Sequence, residues 1–301
     1  MKGSGKAPAW LSGALVLGAF GALVWLERRR PLREERESKL KRSARNLAVA
    51  AAGAAAIRLT ETPLAERLTA LVERKRWGLL KLVRLPLWVE VAASVVLLDY
   101  TLYLWHVLTH RVPQLWRFHV VHHIDIDLDA TTALRFHFAE LALSVPWRAA
   151  QILVLGVSPR ALSIWQTLLM LSIIFHHSNV RLPEVLERRL NLLVVTPRMH
   201  GIHHSTMKEE TDSNWSSGLT IWDRLHGTLR LDVPQGTIDI GVPAYREPRE
   251  VGLASMLALP FGEERPAWEA WEGKRQEAKG ERQKLESASS ESASPFLPFA
   301  F

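Results

Sequence analysis

Residues 9–26, AWLSGALVLGAFGALVWL, run for eighteen residues without a charge. Wound as a helix, that run is about 27 Å long, close to the ~30 Å hydrocarbon core of a bilayer. Such a segment has little use in a water-soluble domain, so the chain is expected to fold in and around a membrane. Trp10 and Trp25 sit near its two ends, where aromatic residues gather at bilayer interfaces. A cleaved secretory signal is the rival reading, given Lys2 and Lys6, but ERRR at 27–30 follows in place of a small-residue cleavage site. The expectation is a retained anchor. Nine Lys and Arg crowd into 27–45, which puts that segment on the cytoplasmic side.

Further apolar runs follow. Residues 85–105, LPLWVEVAASVVLLDYTLYLW, form a second span and carry Glu90 and Asp99. Charges inside a span usually face a polar interior or a site. Residues 138–157 and 161–175 are two more, split by Ser158, Pro159 and Arg160, which suits a turn between antiparallel helices. Residues 46–72 are less clear, because Arg58, Glu61, Glu66 and Arg67 interrupt them. A crossing is favoured there over a re-entrant hairpin or a surface helix. The expected fold is an all-α integral membrane bundle of about four to five membrane helices, with a cytoplasmic, histidine-rich helical cap.

All 12 histidines lie between His106 and His226. Random placement would do this on the order of once in fifty thousand chains, so a localised chemistry is implied. Cysteine is absent, which excludes disulfides, thiolate nucleophiles and iron–sulfur clusters. Any metal must be held by nitrogen and oxygen. The formal charge of +7 would permit nucleic-acid binding, but the basic residues flank apolar runs, as at membrane surfaces, and no nucleic-acid partner is expected.

Three motifs stand out. His106 and His110 are spaced to share one face of a helix, as are His119, His122 and His123, and again His200, His203 and His204. If the spans alternate as expected, all three motifs reach one membrane face. One HxxxH alone is weak, since a buried histidine with its hydrogen bonds met is the ordinary case. Eight imidazoles together exceed what one ion needs, and two ions would share them. No carboxylate sits inside the motifs, as a zinc protease would require, and haem would use only one or two of the rings. Two irons are the better reading, since iron changes oxidation state and activates dioxygen without cysteine. Among neighbouring residues, Asp99 stands seven residues before His106 and could orient its free N–H. Glu140 could pair with His137, Asn179 could reach a metal through water, and Asp212 and Asp223 could pair with ligand histidines. Asp125, Asp127 and Asp129 could do likewise or form a solvated loop. His226 is expected to be structural.

The wider segments resemble the membrane-bound fatty acid hydroxylase/sterol desaturase superfamily over roughly residues 85–232. The resemblance rests on the three histidine motifs and on WRFH (116–119), RFHFAE (135–140), HSNVRLP (177–183), TPRMH (196–200), DSN (212–214) and WDRLHGT (222–228). It implies a non-haem di-iron centre facing the cytoplasm. It also implies an oxidoreductase that uses dioxygen and external electrons to hydroxylate or desaturate a lipid such as a sterol or fatty acyl chain. The metal ligands then fall on His106, His110, His119, His122, His123, His200, His203 and His204, with no catalytic residue separate from them. His177 matches the family's ninth histidine, with His176 a neighbour, and His137 is a further candidate. Gly201 departs from the pattern where many relatives carry a basic residue. The partners implied are the membrane, a lipid substrate and a separate electron-donor protein of ferredoxin or cytochrome type. The expected organisation is an N-terminal membrane anchor region (1–72), a catalytic domain (73–232), a C-terminal extension of the cap (233–262) and a charged, disordered tail (263–301). The residues also admit a membrane zinc hydrolase, or a non-enzymatic metal- or lipid-binding protein on the same scaffold.

Overall fold

The computed structural model describes residues 9–268. Most of the expected 263–301 tail therefore lies outside the described residues. The helices of the bundle are α1 (Ala9–Arg29), α2 (Lys39–Leu59), α3 (Glu61–Lys75), α4 (Leu87–Arg111), α5 (Pro113–His123), the short α6 (Phe138–Leu143), α7 (Val145–Leu155) and α8 (Pro159–His177). Shorter helices follow in the cap: α9 (Glu184–Leu190), α10 (Pro197–His203), α11 (Lys208–Thr211), α12 (Ile221–Leu225) and α13 (Leu253–Ala258). The fold is all-α. Among the described residues, β pairing is limited to isolated bridges such as Pro31 with Val180.

Among the described residues, three helices are long and apolar enough to cross a membrane: Trp10–Arg29, Leu87–Arg111, and Phe138–Leu155 taken across the break at Ser144. That is fewer than the four to five expected. α8 falls short because Arg160, Gln166 and its terminal histidine pair dilute the apolar run, and α2 because its charges crowd its first turns. α1 leaves large apolar side chains such as Leu17 and Trp25 more than half exposed, a surface that water does not tolerate and lipid does.

The direction of each helix follows from its contacts. α1 starts near the middle of α8, where Thr167 donates to Ser12 at 2.9 Å, and ends at the cap, where Glu27 accepts from the Ala130 amide at 2.8 Å. α2 and α3 then run away from the cap, side by side with α6 and α7. Gly53 lies against Leu141, Glu61 meets Arg148 at 3.2 Å, and Val72 joins Ile152 and Leu155 in a buried apolar cluster. The pair closes where Gly78 meets Gly156, both at positive φ; a Cβ on Gly78 would strike the Gly156 backbone, and one on Gly156 the Trp77 carbonyl. Residues 39–75 thus traverse the bundle from the cap to its far end. α4 and α8 return toward the cap. The two arms 138–157 and 161–175 run in opposite directions, but α7 lies chiefly on α3, and α8 on α4 and α1.

Between α5 and α6 the chain makes a loop held by buried charges. Arg42 of α2 donates to Asp125 and Thr132, each at 3.1 Å, and pairs with Asp129. Asn46 donates to Asp125 at 3.0 Å, and Arg135 lies 3.2 Å from the same carboxylate. Asp127 accepts from the backbone amides of Arg36 and Glu37, each at 2.9 Å. Burial opposes ionisation of Asp125, but the Arg42 and Arg135 guanidiniums outweigh it and hold its carboxyl down to about 2. The three aspartates neither touch the histidines nor form a solvated loop. They tie the 27–46 segment to the chain that follows α5.

Candidate metal centre

Four helix ends deliver the histidines. α4 carries His106 and His110 one turn apart in its last two turns. The extended Val112 and then Pro113 break that helix and start α5, which brings His119, His122 and His123 back beneath α4. His177 is the last residue of α8. Pro197 opens α10, which presents His200 and His203, with His204 at its C-cap.

Nine of the expected rings meet. His106, His110, His119 and His123 bring one nitrogen each to within 4.8 Å of one another; so do His122, His177, His200 and His204, and so do His123, His203 and His204. His203 packs on the first set, with ring centroids 4.7 Å from His106 and 4.8 Å from His110. The nine rings therefore divide into five and four. The sets touch where His123 stacks on His204 at 4.3 Å. An ion with metal–nitrogen bonds of about 2.1 Å spreads its ligand nitrogens up to about 4.2 Å apart, so each set needs only a small contraction to become a metal cage.

Hydrogen bonds on the outer edge of several rings fix which nitrogen points inward. Nδ1 of His106 lies 2.7 Å from the Trp215 carbonyl, Nδ1 of His177 2.8 Å from that of Ile173, and Nδ1 of His203 2.8 Å from that of Ser213. His119 Nδ1 donates to Glu140 Oε1 at 2.7 Å. A carbonyl or carboxylate only accepts, so Nδ1 carries the proton and Nε2 keeps a lone pair. In the first set the inward Nε2 atoms of His110, His119, His123 and His203 are buried without a hydrogen bond among the described residues; in the second set the Nδ1 atoms of His122, His200 and His204 are the ones buried without one. In the second set, His177 Nε2 faces the Nε2 atoms of His122 and His200, each at 3.0 Å. So many buried imidazole nitrogens left unpaired, at about 1–3 kcal/mol each, are a heavy cost for a metal-free core. An all-imidazole set suits iron, zinc or copper, and two ions would satisfy it.

Burial also keeps the rings neutral. It holds His122, His123, His200 and His204 well below the ordinary histidine range, and the positive charge of neighbouring rings adds to the effect. His203 is pushed down to about 3 by burial, although its bond to Ser213 favours protonation. Neutral imidazole is the form that binds a metal.

The remaining expected residues lie elsewhere. His137 stands outside both sets: its backbone is extended, its ring accepts from the Ala139 amide as an N-cap of α6, and Nε2 faces the Leu257 carbonyl. Glu140 therefore does not pair with His137, which is not on the helix, but with His119. Asp99 does not reach His106, because seven helical residues are about 10.5 Å of rise. It accepts from the Leu219 amide at 2.9 Å and the Trp222 indole at 2.7 Å. Asn179 clasps the backbone of Arg33 through both side-chain atoms, at 2.8 Å each, rather than facing the rings. Asp212 pairs with Lys208 at the surface. Asp223 touches no histidine; it accepts from the Trp215 and Ser216 amides at 3.0 Å each, and so fixes the carbonyl that orients His106. His226 is structural, with Nε2 3.2 Å from the Tyr100 hydroxyl. His176 lies beside the second set, 4.1 Å from His200, with Nδ1 unpaired. At Gly201, a Cβ would overlap the Arg33 guanidinium, so a basic group from another segment fills the space beside this residue.

The orienting carbonyls of Trp215, Ser213 and Ile173 have no sequence signal, because any residue supplies one. Arg148 does have one: it is a charge inside an apolar run. With Glu61 it lines a cavity of about 550 Å³ that opens beneath the histidines His106, His119, His122, His176, His177 and His200. The cavity walls are largely apolar, including Leu102, Trp105, Phe136, Leu141, Leu169 and Ile173.

Fold and site together define a helical, membrane-type protein with a paired histidine centre above an apolar cavity. Residues 91–228 match the family model described as fatty acid hydroxylase, a stretch that includes all nine clustered histidines. This match supports placing the domain in the fatty acid hydroxylase/sterol desaturase superfamily. It is 30% identical over 177 residues to an ornithine lipid hydroxylase of Rhizobium tropici, covering 58% of this chain and 51% of that protein. A cholesterol 25-hydroxylase-like protein of Danio rerio is 33% identical over 147 residues, 48% of this chain and 56% of that one. The alkylglycerol monooxygenase of Homo sapiens is 28% identical over 136 residues, 44% of this chain and 29% of that one. The chain thus spans about half or less of the length of these relatives. No solved structure matches it.

Proposed function

We propose that the chain is a membrane-bound oxygenase that hydroxylates a C–H bond of a lipid, with two iron ions held by the nine clustered histidines. The observation that carries this reading is the pair of imidazole sets, five and four rings, at the head of a largely apolar cavity. The names of the relatives, which act on an ornithine lipid, a sterol and an alkylglycerol, support a lipid substrate and favour hydroxylation over desaturation. Bound iron would supply the activation of dioxygen and the removal of hydrogen from an unactivated C–H bond, chemistry that no side chain here performs alone.

The chain's own residues set the conditions. Glu140 and the carbonyls of Trp215, Ser213 and Ile173 hold the Nδ1 protons of His119, His106, His203 and His177, so that Nε2 of each faces inward. The cavity walls exclude water and leave a lipid chain as the natural occupant. The nine Lys and Arg of 27–45 belong to the cap end, which favours a cytoplasmic site and access for a separate electron donor of ferredoxin or cytochrome type. Lipidomic comparison of a host with and without the chain, beside a His122→Ala control, tests the reading. An oxidised lipid present only with the intact protein is expected. Zinc in the purified protein, with an activity indifferent to dioxygen, would instead make it a hydrolase.

A further inference from the structure

The cavity contains a second polar feature, away from the histidines. Glu61, the first residue of α3, and Arg148, in the first turn of α7, both line it, and Arg148 Nε donates to Glu61 Oε1 at 3.2 Å. Nη1 of Arg148 donates to Gln151, which in turn donates to Thr101. The guanidinium lies over the Trp165 ring, 4.4 Å from its centroid. Nη2 makes no hydrogen bond among the described residues. A buried ion pair with one member in a candidate membrane span is expensive, and for stability alone an apolar pair would serve as well or better. Here it is braced on three sides by Glu61, Gln151 and Trp165, with the two N–H groups of Nη2 left over beside the cavity.

We propose that Arg148 holds a neutral hydrogen-bond acceptor of the substrate, a hydroxyl or carbonyl oxygen, and so sets which carbon lies beneath the histidines. This deepens the oxygenase reading and rests on it. The acceptor is neutral because Glu61 already cancels the Arg148 charge; a carboxylate at Nη2 would sit against Glu61 as well. The distance is fixed by the helices. Glu140, bonded to His119, and Arg148 are eight residues apart along α6 and α7, about 12 Å of rise. The substrate class is therefore a lipid with an oxygen function buried about 12 Å from the oxidised carbon, not a plain hydrocarbon.

Equilibrium binding to the full chain in nanodiscs, with zinc added so that no probe is consumed, tests this directly. The probes are tetradecanol, tetradecane and tetradecanoate. The alcohol should bind the wild type at least about tenfold tighter than the alkane, the worth of one hydrogen bond to a charged donor. In the double variant Arg148→Met, Glu61→Gln, which leaves no orphaned charge, that ratio should fall to near one. In Glu61→Gln alone, tetradecanoate should gain about tenfold, because the guanidinium is no longer neutralised. Because each result is a ratio within one protein, partial misfolding does not mimic it. An alcohol-to-alkane ratio unchanged in the double variant overturns the proposal, and so does tetradecanoate as the tightest ligand of the wild type. The binding ratios need no turnover. If they behave as expected while the lipidomic comparison finds no oxidised product, the anchor stands and the oxygenase assignment falls.

Discussion

Replacing Glu140 by Ala removes the only hydrogen-bond acceptor of the His119 Nδ1 proton, a contact of 2.7 Å between two buried side chains. The ring keeps a buried donor with no partner, which costs about 1–3 kcal/mol, and it is free to adopt the other tautomer, with its proton aimed inward. Either change weakens a metal site. Losses of about 10–100-fold in affinity are typical when such a carboxylate is removed, equivalent to about 1.4–2.7 kcal/mol. The loss should be confined to the set of His106, His110, His119, His123 and His203, because Glu140 bonds to no ring of the other set. Cobalt(II) titration against a competing chelator should therefore show one of the two binding steps weakened in Glu140→Ala relative to the wild type and the other unchanged. Glu140→Gln keeps an acceptor oxygen and should recover most of the loss. Equal weakening of both steps, or no recovery with Gln, would refute the orienting role; the latter result would assign the unpaired Oε2 of Glu140 to the ion itself.

Other expectations concern the surroundings. His137→Ala should leave metal content unchanged and cost about 0.5–2 kcal/mol of stability, the worth of an N-cap, read from thermal unfolding in detergent. A lost metal equivalent would return His137 to the ligand set. Arg42→Met should destabilise by about 3–5 kcal/mol, since it strands the buried charges of Asp125 and Asp129, and Arg42→Lys should restore only part, lacking the fork that serves two carboxylates. Melting like that of the wild type would show the network to be dispensable. Acid should destabilise the metal-free protein. His203 titrates at about 3 when folded and near the ordinary 6.5 when unfolded, so both states are neutral above 6.5. Between 6.5 and 3 only the unfolded chain takes up the proton, so stability falls with pH, by about 2 kcal/mol at pH 5 from this ring alone. A melting temperature flat between pH 8 and pH 5 would contradict that coupling.

Legibility in the sequence followed the range of the interaction. Spacing within one helix placed His106 with His110, and His119 with His122 and His123, because helical periodicity is a local property. Apolar runs likewise announced α1, α4 and the pair α6 and α7. Spacing misled where it was used across a height or across a helix start. Asp99 shares a face with His106 but lies two turns below it, and Glu140 counts three from a residue that is not yet helical. Asn179 is held by Arg33, between α1 and α2, and Asp125 by Arg42 and Asn46 at the start of α2, each more than 75 residues away, and no periodicity encodes such a pairing. The traverse of 39–75 was ambiguous for a physical reason. Its charges are met by neighbours, Glu61 by Arg148 and Arg42 by three aspartates, so hydropathy undervalues how well they are accommodated.

Glu27 gives α1 a consequence that its anchor-like sequence conceals. One carboxylate oxygen ties down the amides of Ala130 and Asn179, and the other holds Lys39, at the seam where the loop after α5 meets the end of α8. A chain begun at residue 85 would retain every histidine and the whole family-matched stretch, yet it would come unlatched at that seam. Trimming the anchor to obtain a soluble core would therefore not free the histidine-bearing domain from a tether; it would unroof it.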